Sequence, residues 1–285
     1  MKPTPANLPI QKLLDGEFLR VTRLHKDLNK LSVIPHRHDH YELMLVTHGE
    51  GIHYIDFKPY EVKANRLYFI QPGQVHLIDD FDRDGWLIMF GEEMFKRFLN
   101  IHHHENETGL LDSYTPAPFI DLSEDLKSIT AFIIQQLQHQ RIQSRPDTQI
   151  MLHYTSLLLL HANKAHIVQH PQVQGAGLNR GLFHQLKQLI EQHFKQQHLA
   201  SFYADALAVD IKKLNNVCRD ATKLTVFELL KERLLTESKI LLQTSERSVK
   251  EISYELGFND PAFFGRFFKK HTSLTPATFR NQRMI

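Results

Sequence analysis

Ser248-Val249-Lys250-Glu251-Ile252-Ser253-Tyr254-Glu255-Leu256-Gly257-Phe258-Asn259-Asp260-Pro261-Ala262-Phe263-Phe264-Gly265-Arg266-Phe267-Phe268-Lys269-Lys270 spells out two helices joined by a tight turn. Ser248 followed three residues later by Glu251 is a capping box, and Val249, Ile252 and Leu256 give the helix it opens an apolar face. Gly257 stands where the chain must turn through positive φ. Asp260-Pro261 then sets an N-cap beside an N1 proline, which defines the start of a second helix. On that helix Phe264, Phe267 and Phe268 are the packing positions. Ala262, Gly265, Arg266, Lys269 and Lys270 are left outside.

Upstream, at an offset of about 50 residues, the grammar repeats. Ala204-Asp205-Ala206-Leu207-Ala208-Val209-Asp210 leads into Ile211-Lys212-Lys213-Leu214-Asn215-Asn216-Val217-Cys218-Arg219. Ala208 occupies the place of Gly257, so this first turn is expected to differ. Thr225 and Glu228 form another capping box, opening a connecting helix to about Gln243 that would be ~28 Å long. With the offsets of the helices attached to it, that approaches the ~34 Å repeat of duplex DNA. Two outward helices could then enter successive major-groove segments. Lys and Arg attract phosphate, while Asn offers adenine a donor–acceptor pair. The predicted DNA-contacting residues are Lys212, Lys213, Asn215, Asn216 and Arg219 of the first copy, with Ala262, Arg266 and Lys269 of the second. The first copy would read bases and the second would grip the backbone of double-stranded promoter DNA.

Charge agrees with this division without deciding it. Residues 181–285 carry 16 Lys+Arg against 11 Asp+Glu, and residues 1–180 carry 18 against 21. The chain has 285 residues, 42% of them hydrophobic, enough for about two domains. No apolar run is long enough to span a membrane, and no signal segment follows Met1, so a cytoplasmic protein without a membrane partner is expected. One cysteine, Cys218, excludes an internal disulfide and a multi-cysteine zinc cluster. On a packing position it should be buried and inert.

The front of the chain has another character. Tyr41–Val46, Gly51–Phe57, Arg66–Ile70 and Trp86–Phe90 are short apolar runs between Gly, Pro, Asn and Asp, the pattern of a barrel or sandwich. From Leu122 the period becomes helical through Leu126, Ile129, Ile133 and Leu137. A second helix follows Pro146, capped by Asp147 or Thr148, with Met151, Tyr154, Leu157, Leu158 and His161 along one side. The expected fold is α+β: a barrel over 1–120, a helical pair suited to dimerisation over 121–166, a linker over 167–180, and an all-α double helix-turn-helix domain over 181–285.

Residues 199–283 resemble the DNA-binding domain of the arabinose-regulator (AraC/XylS) family of bacterial transcription regulators. Ser248–Ile252, Leu256–Lys270, Leu274-Thr275-Pro276 and Phe279-Arg280 carry the resemblance. The family usually has Gly where Lys223 and Ser273 stand, Pro at Val226 and Phe at Cys218. The front half resembles the cupin barrel of sugar-sensing members. Pro35-His36-Arg37-His38-Asp39-His40-Tyr41-Glu42 followed by Gly49-Glu50-Gly51 matches one cupin motif. Ile70-Gln71-Pro72-Gly73-Gln74-Val75-His76 matches the other, with Asn65 in place of its first Gly. The resemblance implies a homodimeric activator that works with RNA polymerase and is controlled by a small-molecule effector in the barrel.

His36, His38, Glu42 and His76 are the positions at which enzymatic cupins hold Fe, Mn or Ni. Here they are expected, with Trp86 as a stacking surface, to bind an organic effector, with no resident metal, no cofactor and no catalysis. His40 and Asp39 are expected outside the pocket, and His102-His103-His104 in an exposed loop. A metal-dependent cupin enzyme fused to a DNA-binding domain, or a regulator controlled by a protein partner, are the alternatives.

Overall fold

A computed structural model describes residues 10–13, 17–25, 36–78, 83–112, 115, 117–171 and 179–281. The chain divides into two units, one within Pro9–Gln174 and the other within Gly175–Ile285.

In the first unit the strands are β1 (Ile10–Gln11), β2 (Leu19–His25), β3 (His36–His38), β4 (Tyr41–His48), β5 (Gly51–Ile55), β6 (Lys58–Val62), β7 (Arg66–Ile70), β8 (Val75–Ile78), β9 (Asp84–Phe90) and β10 (Phe119–Asp121). They form two five-stranded sheets, ordered β1-β3-β8-β5-β6 and β10-β7-β4-β9-β2. Every pairing is antiparallel except β1 with β3. This is the expected barrel.

The second sheet is apolar on both faces, because one covers the space between the sheets and the other is covered by helices. Met44, Val46, Tyr68 and Ile70 pack with Ile55, Val62 and Ile78 of the first sheet. Leu43, Leu45, Leu67, Phe69, Ile88 and Phe90 face the helices. Those are α1 (Glu92–Ile101), α2 (Glu124–Arg141) and α3 (Thr148–Gln169). Helix α1 was not foreseen from sequence, although Met94, Phe95 and Phe98 mark its buried face and Glu92 and Glu93 its first turn. Ser123 caps α2 and Asp147 caps α3. The expected linker began at 167, but α3 continues to Gln169, and 172–178 lie outside the described residues.

The second unit is all helical: α4 (Arg180–His193), α5 (Ala200–Ala206), α6 (Ile211–Thr222), α7 (Val226–Thr244), α8 (Val249–Glu255), α9 (Pro261–Thr272) and α10 (Pro276–Asn281). Leu214, Val217, Leu229, Leu230, Ile252, Leu256, Phe264 and Phe268 are among its buried side chains. No helix among the described residues is long and apolar enough to cross a membrane.

Candidate functional site

The two helix-turn-helix copies match helix for helix in length. Helices α5 and α8 have seven residues each, at an offset of 49, and α6 and α9 have twelve each, at an offset of 50. Asn259 is the one extra residue, in the turn. Asp210 accepts hydrogen bonds from the Lys212 and Lys213 amides, and Asp260 from the Ala262 amide, so each recognition-type helix starts at an aspartate cap.

The turns are also alike, contrary to the expectation for Ala208. Ala208 N donates to Asp205 O at 3.0 Å and Val209 N to Ala204 O at 3.0 Å; Gly257 N donates to Tyr254 O at 3.0 Å and Phe258 N to Ser253 O at 2.9 Å. Ala208 has φ +52° and Gly257 φ +77°, so alanine is held in the left-handed region that this turn requires. Glycine is mandatory only in the second copy, where a Cβ would lie 1.9 Å from the Lys195 carbonyl oxygen. Lys223 and Ser273, the two departures from glycine, end α6 and α9 in the same left-handed conformation.

Of the predicted contact residues, Lys212, Lys213, Asn216 and Arg219 on α6 and Ala262, Arg266 and Lys269 on α9 are exposed. Leu214, Val217 and Cys218 are buried as expected, and burial pushes the Cys218 thiol up to about 12. Asn215 differs. It is half-buried, and its Oδ1 accepts from the Val226 amide at 3.1 Å. Val226 is the first residue of α7, where the family's proline would have no N–H to satisfy. Asn215 therefore supplies the acceptor that the Pro-to-Val departure calls for, and Asn216 is the amide left facing outward. Phe263 was not singled out from sequence; it is 55% exposed beside Ala262, with the Arg266 guanidinium 5.9 Å from its ring.

A charged clasp holds the two copies to their common scaffold. Arg233 on α7 bonds Glu191 of α4 and Glu237, and lies 4.1 Å over the Phe194 ring. Lys195 reaches Glu255 at the end of α8 at 3.1 Å. Helix α7, 19 residues and thus ~28 Å long, separates the copies.

In the first unit the period of β3 turns His36 and His38 to one face, where His36 stands opposite His76 in register. All three are buried, as is Glu42. His76 Nε2 is 3.1 Å from His38 Nε2, and His38 Nδ1 is 3.9 Å from Glu42 Oε2. His40 belongs to the cluster, against expectation: it is buried and stacks on His38 with ring centroids 4.5 Å apart. His40 lies in the bend between β3 and β4, beyond the last residue of β3, so strand alternation could not have placed it. Asp39 is exposed as expected and is 3.1 Å from His40 Nδ1. His53 was missed. On β5, wholly buried, it places Nε2 3.0 Å from His76 Nδ1. Burial first, and neighbouring imidazoles second, hold the His38 and His53 rings neutral, with pKa values lowered to about 2 and about 3. His76 is lowered likewise, and burial raises Glu42 to about 8.

Trp86 lies away from this cluster. It pairs in register with Leu45 and packs with the helix-facing core, while Glu42, opposite in parity, faces the other sheet. Arg23 sits 4.8 Å over its ring. The His103 and His104 side chains are exposed, with His104 paired to Glu107. Asn65, which replaces a motif glycine, takes φ +62°, a conformation asparagine tolerates.

The family model described as an AraC-like ligand binding domain matches residues 18–89, and that described as a helix-turn-helix domain matches residues 203–282. Relatives include the HTH-type transcriptional activator RhaS of Enterobacter sp. (strain 638), 23% identical over 253 residues and 87% of each chain. RhaS of Escherichia coli O81 (strain ED1a) is 24% identical over 252 residues, again 87% of each. Among solved structures, ToxT from Vibrio cholerae O395 matches over 92% of this chain and 97% of its own, at 11% identity and TM-score 0.46. With a ligand-binding half and a helix-turn-helix half matched in chain order, the chain belongs to the AraC family of transcription regulators, with DNA binding at its C-terminus and a ligand-binding domain at its N-terminus.

Proposed function

We propose that this regulator is a cytoplasmic homodimeric activator that reads its promoter chiefly through α6, grips it through α9, and answers to a small ligand held in the barrel without transforming it. The observation that carries the reading is the pair of equal, identically capped twelve-residue helices with Lys212, Lys213, Asn216 and Arg219 outward on one and Arg266 and Lys269 on the other. RhaS, named an activator, supports activation, and RNA polymerase would then be its partner at the promoter. Exposed apolar side chains support the dimer: Phe132 of α2 packs edge-on against Tyr154 of α3 at 6.2 Å, and Ile150 and Leu157, on the same side of α3 as Tyr154 by helical spacing, are exposed like Phe132.

Mobility shift with the full chain on sites selected from genomic fragments tests the DNA assignment. Asn216→Ala should lower affinity for the selected site about ten-fold and leave non-specific binding unchanged, a loss of roughly 1–3 kcal/mol of base discrimination. Arg266→Ala should weaken all DNAs together and flatten the salt dependence. Binding that neither substitution alters would remove both helices from the interface.

A further inference from the structure

Helices α6 and α9 agree in burial as well as in length. Leu214 and Cys218 of α6 are buried, as are Phe264 and Phe268 fifty residues on; Lys213 is exposed, and so is Phe263 in its place. Phe263 therefore occupies the outward position that a lysine holds in the first copy. A lysine there attracts phosphate. A phenyl ring does not, since it has neither charge nor a strong hydrogen-bonding group.

The ring is nevertheless 55% exposed, so it forgoes the burial that stabilises Phe264 and Phe268 on the same helix. It is also steadied from below. The buried Phe258 ring stands 6.1 Å from it, and the Arg266 guanidinium 5.9 Å. Beside it Ala262 carries only a methyl and Gly265 no side chain, and a Cβ added at Gly265 would meet nothing within 4 Å. Phe263 is the third residue of α9, and it is the first residues of a recognition helix that meet base edges. Short neighbours let that end come close. The floor of the major groove presents one apolar group, the C5-methyl of thymine; every other group there is a donor or acceptor that a phenyl ring cannot pair with.

We propose that Phe263 is a specificity-determining residue, reading the C5-methyl of a thymine in the major-groove segment taken by α9. This rests on the reading of α9 as a DNA-contacting helix and adds one base pair to what that helix recognises. Arg266 and Lys269 hold the backbone, and Phe263 selects at a single position.

The test is mobility shift with the full chain on a duplex carrying its selected site, each thymine replaced in turn by deoxyuridine, which deletes the methyl and nothing else. One thymine should stand out, its replacement lowering wild-type affinity about four-fold, the factor that burying one methyl group carries. Phe263→Ala should bind the unmodified site about four-fold more weakly and respond no further to that replacement. Phe263→Leu, which keeps an apolar side chain, should retain part of the response. At the same position 5-methylcytosine should bind wild type more tightly than cytosine. Each comparison is a ratio of two DNAs on one preparation, so a variant's folded fraction does not enter it. A site in which no thymine responds, or a response that persists in Phe263→Ala, overturns the proposal. Arg266→Ala separates the two readings. If it weakens binding while no thymine responds, α9 lies on the DNA and only the thymine contact falls. If Arg266→Ala and Phe263→Ala both leave binding unchanged, α9 is out of the interface and the underlying reading falls as well.

Discussion

Ala208, Lys223 and Ser273 hold left-handed backbone without being glycine, at φ +52°, +65° and +64°. Each side chain adds a steric cost that glycine lacks, so Ala208→Gly, Lys223→Gly and Ser273→Gly should each raise stability by roughly 0.5–1 kcal/mol in urea denaturation. Gly257→Ala should act oppositely and more strongly, by more than about 2 kcal/mol, because φ +77° and the Lys195 carbonyl both oppose a Cβ. At the same scale His166 links stability to pH. It is fully buried on α3, with Nε2–H donating to the Ala117 carbonyl at 2.8 Å, and burial lowers its pKa to about 4. The unfolded chain takes up this proton from about pH 6.5 downward and the folded chain only near 4, so stability is lost as pH falls through that window, by at most ~3 kcal/mol. Thermal unfolding of wild type and His166→Gln between pH 7 and 4 should show the flatter profile in the variant. Parallel profiles would contradict the assignment.

Elements differ in how much of them the sequence announces. Both capping boxes, Thr225 with Glu228 and Ser248 with Glu251, and both aspartate caps form as their spacing predicts, because a cap is satisfied within three residues and needs no partner from elsewhere. Asp210→Ala and Asp260→Ala should each lower stability by about 1 kcal/mol. Sheet register is another matter. Trp86 lies across from Leu45 and Ile55 across from His76 through pairings 41 and 21 residues apart, which period-two counting cannot supply. For that reason Trp86 was expected at the ligand site and His53 was not. Asn215 was misjudged similarly, since its acceptor role depends on the start of α7, eleven residues on. Helices α2 and α3 offer an element-scale prediction. Phe132→Glu or Leu157→Glu should shift the full chain from dimer to monomer in sedimentation equilibrium while leaving its circular dichroism unchanged; a dimer that survives both would place the interface elsewhere.

At the scale of the whole molecule, two units with different chemistry are joined in one regulator. The barrel concentrates buried imidazoles and a carboxylate between its sheets. The helical unit exposes cations and an amide on two helices of equal length joined through α7. The motifs that carried both assignments were legible because each is local: His36-Arg37-His38 on one strand, Leu256 to Lys270 across one turn. Base reading by α6 and backbone grip by α9 divide the work on DNA between the two copies. In vitro selection of DNA sites by the full chain, run in parallel for wild type, Asn216→Ala and Arg266→Ala, tests it most directly. The wild-type site should consist of two segments about 10 base pairs apart, one strongly and one weakly constrained. Asn216→Ala should erase base preference within the strong segment, while Arg266→Ala should return the same sequence at lower affinity. An unchanged consensus with Asn216→Ala, or base preferences lost only with Arg266→Ala, would contradict it.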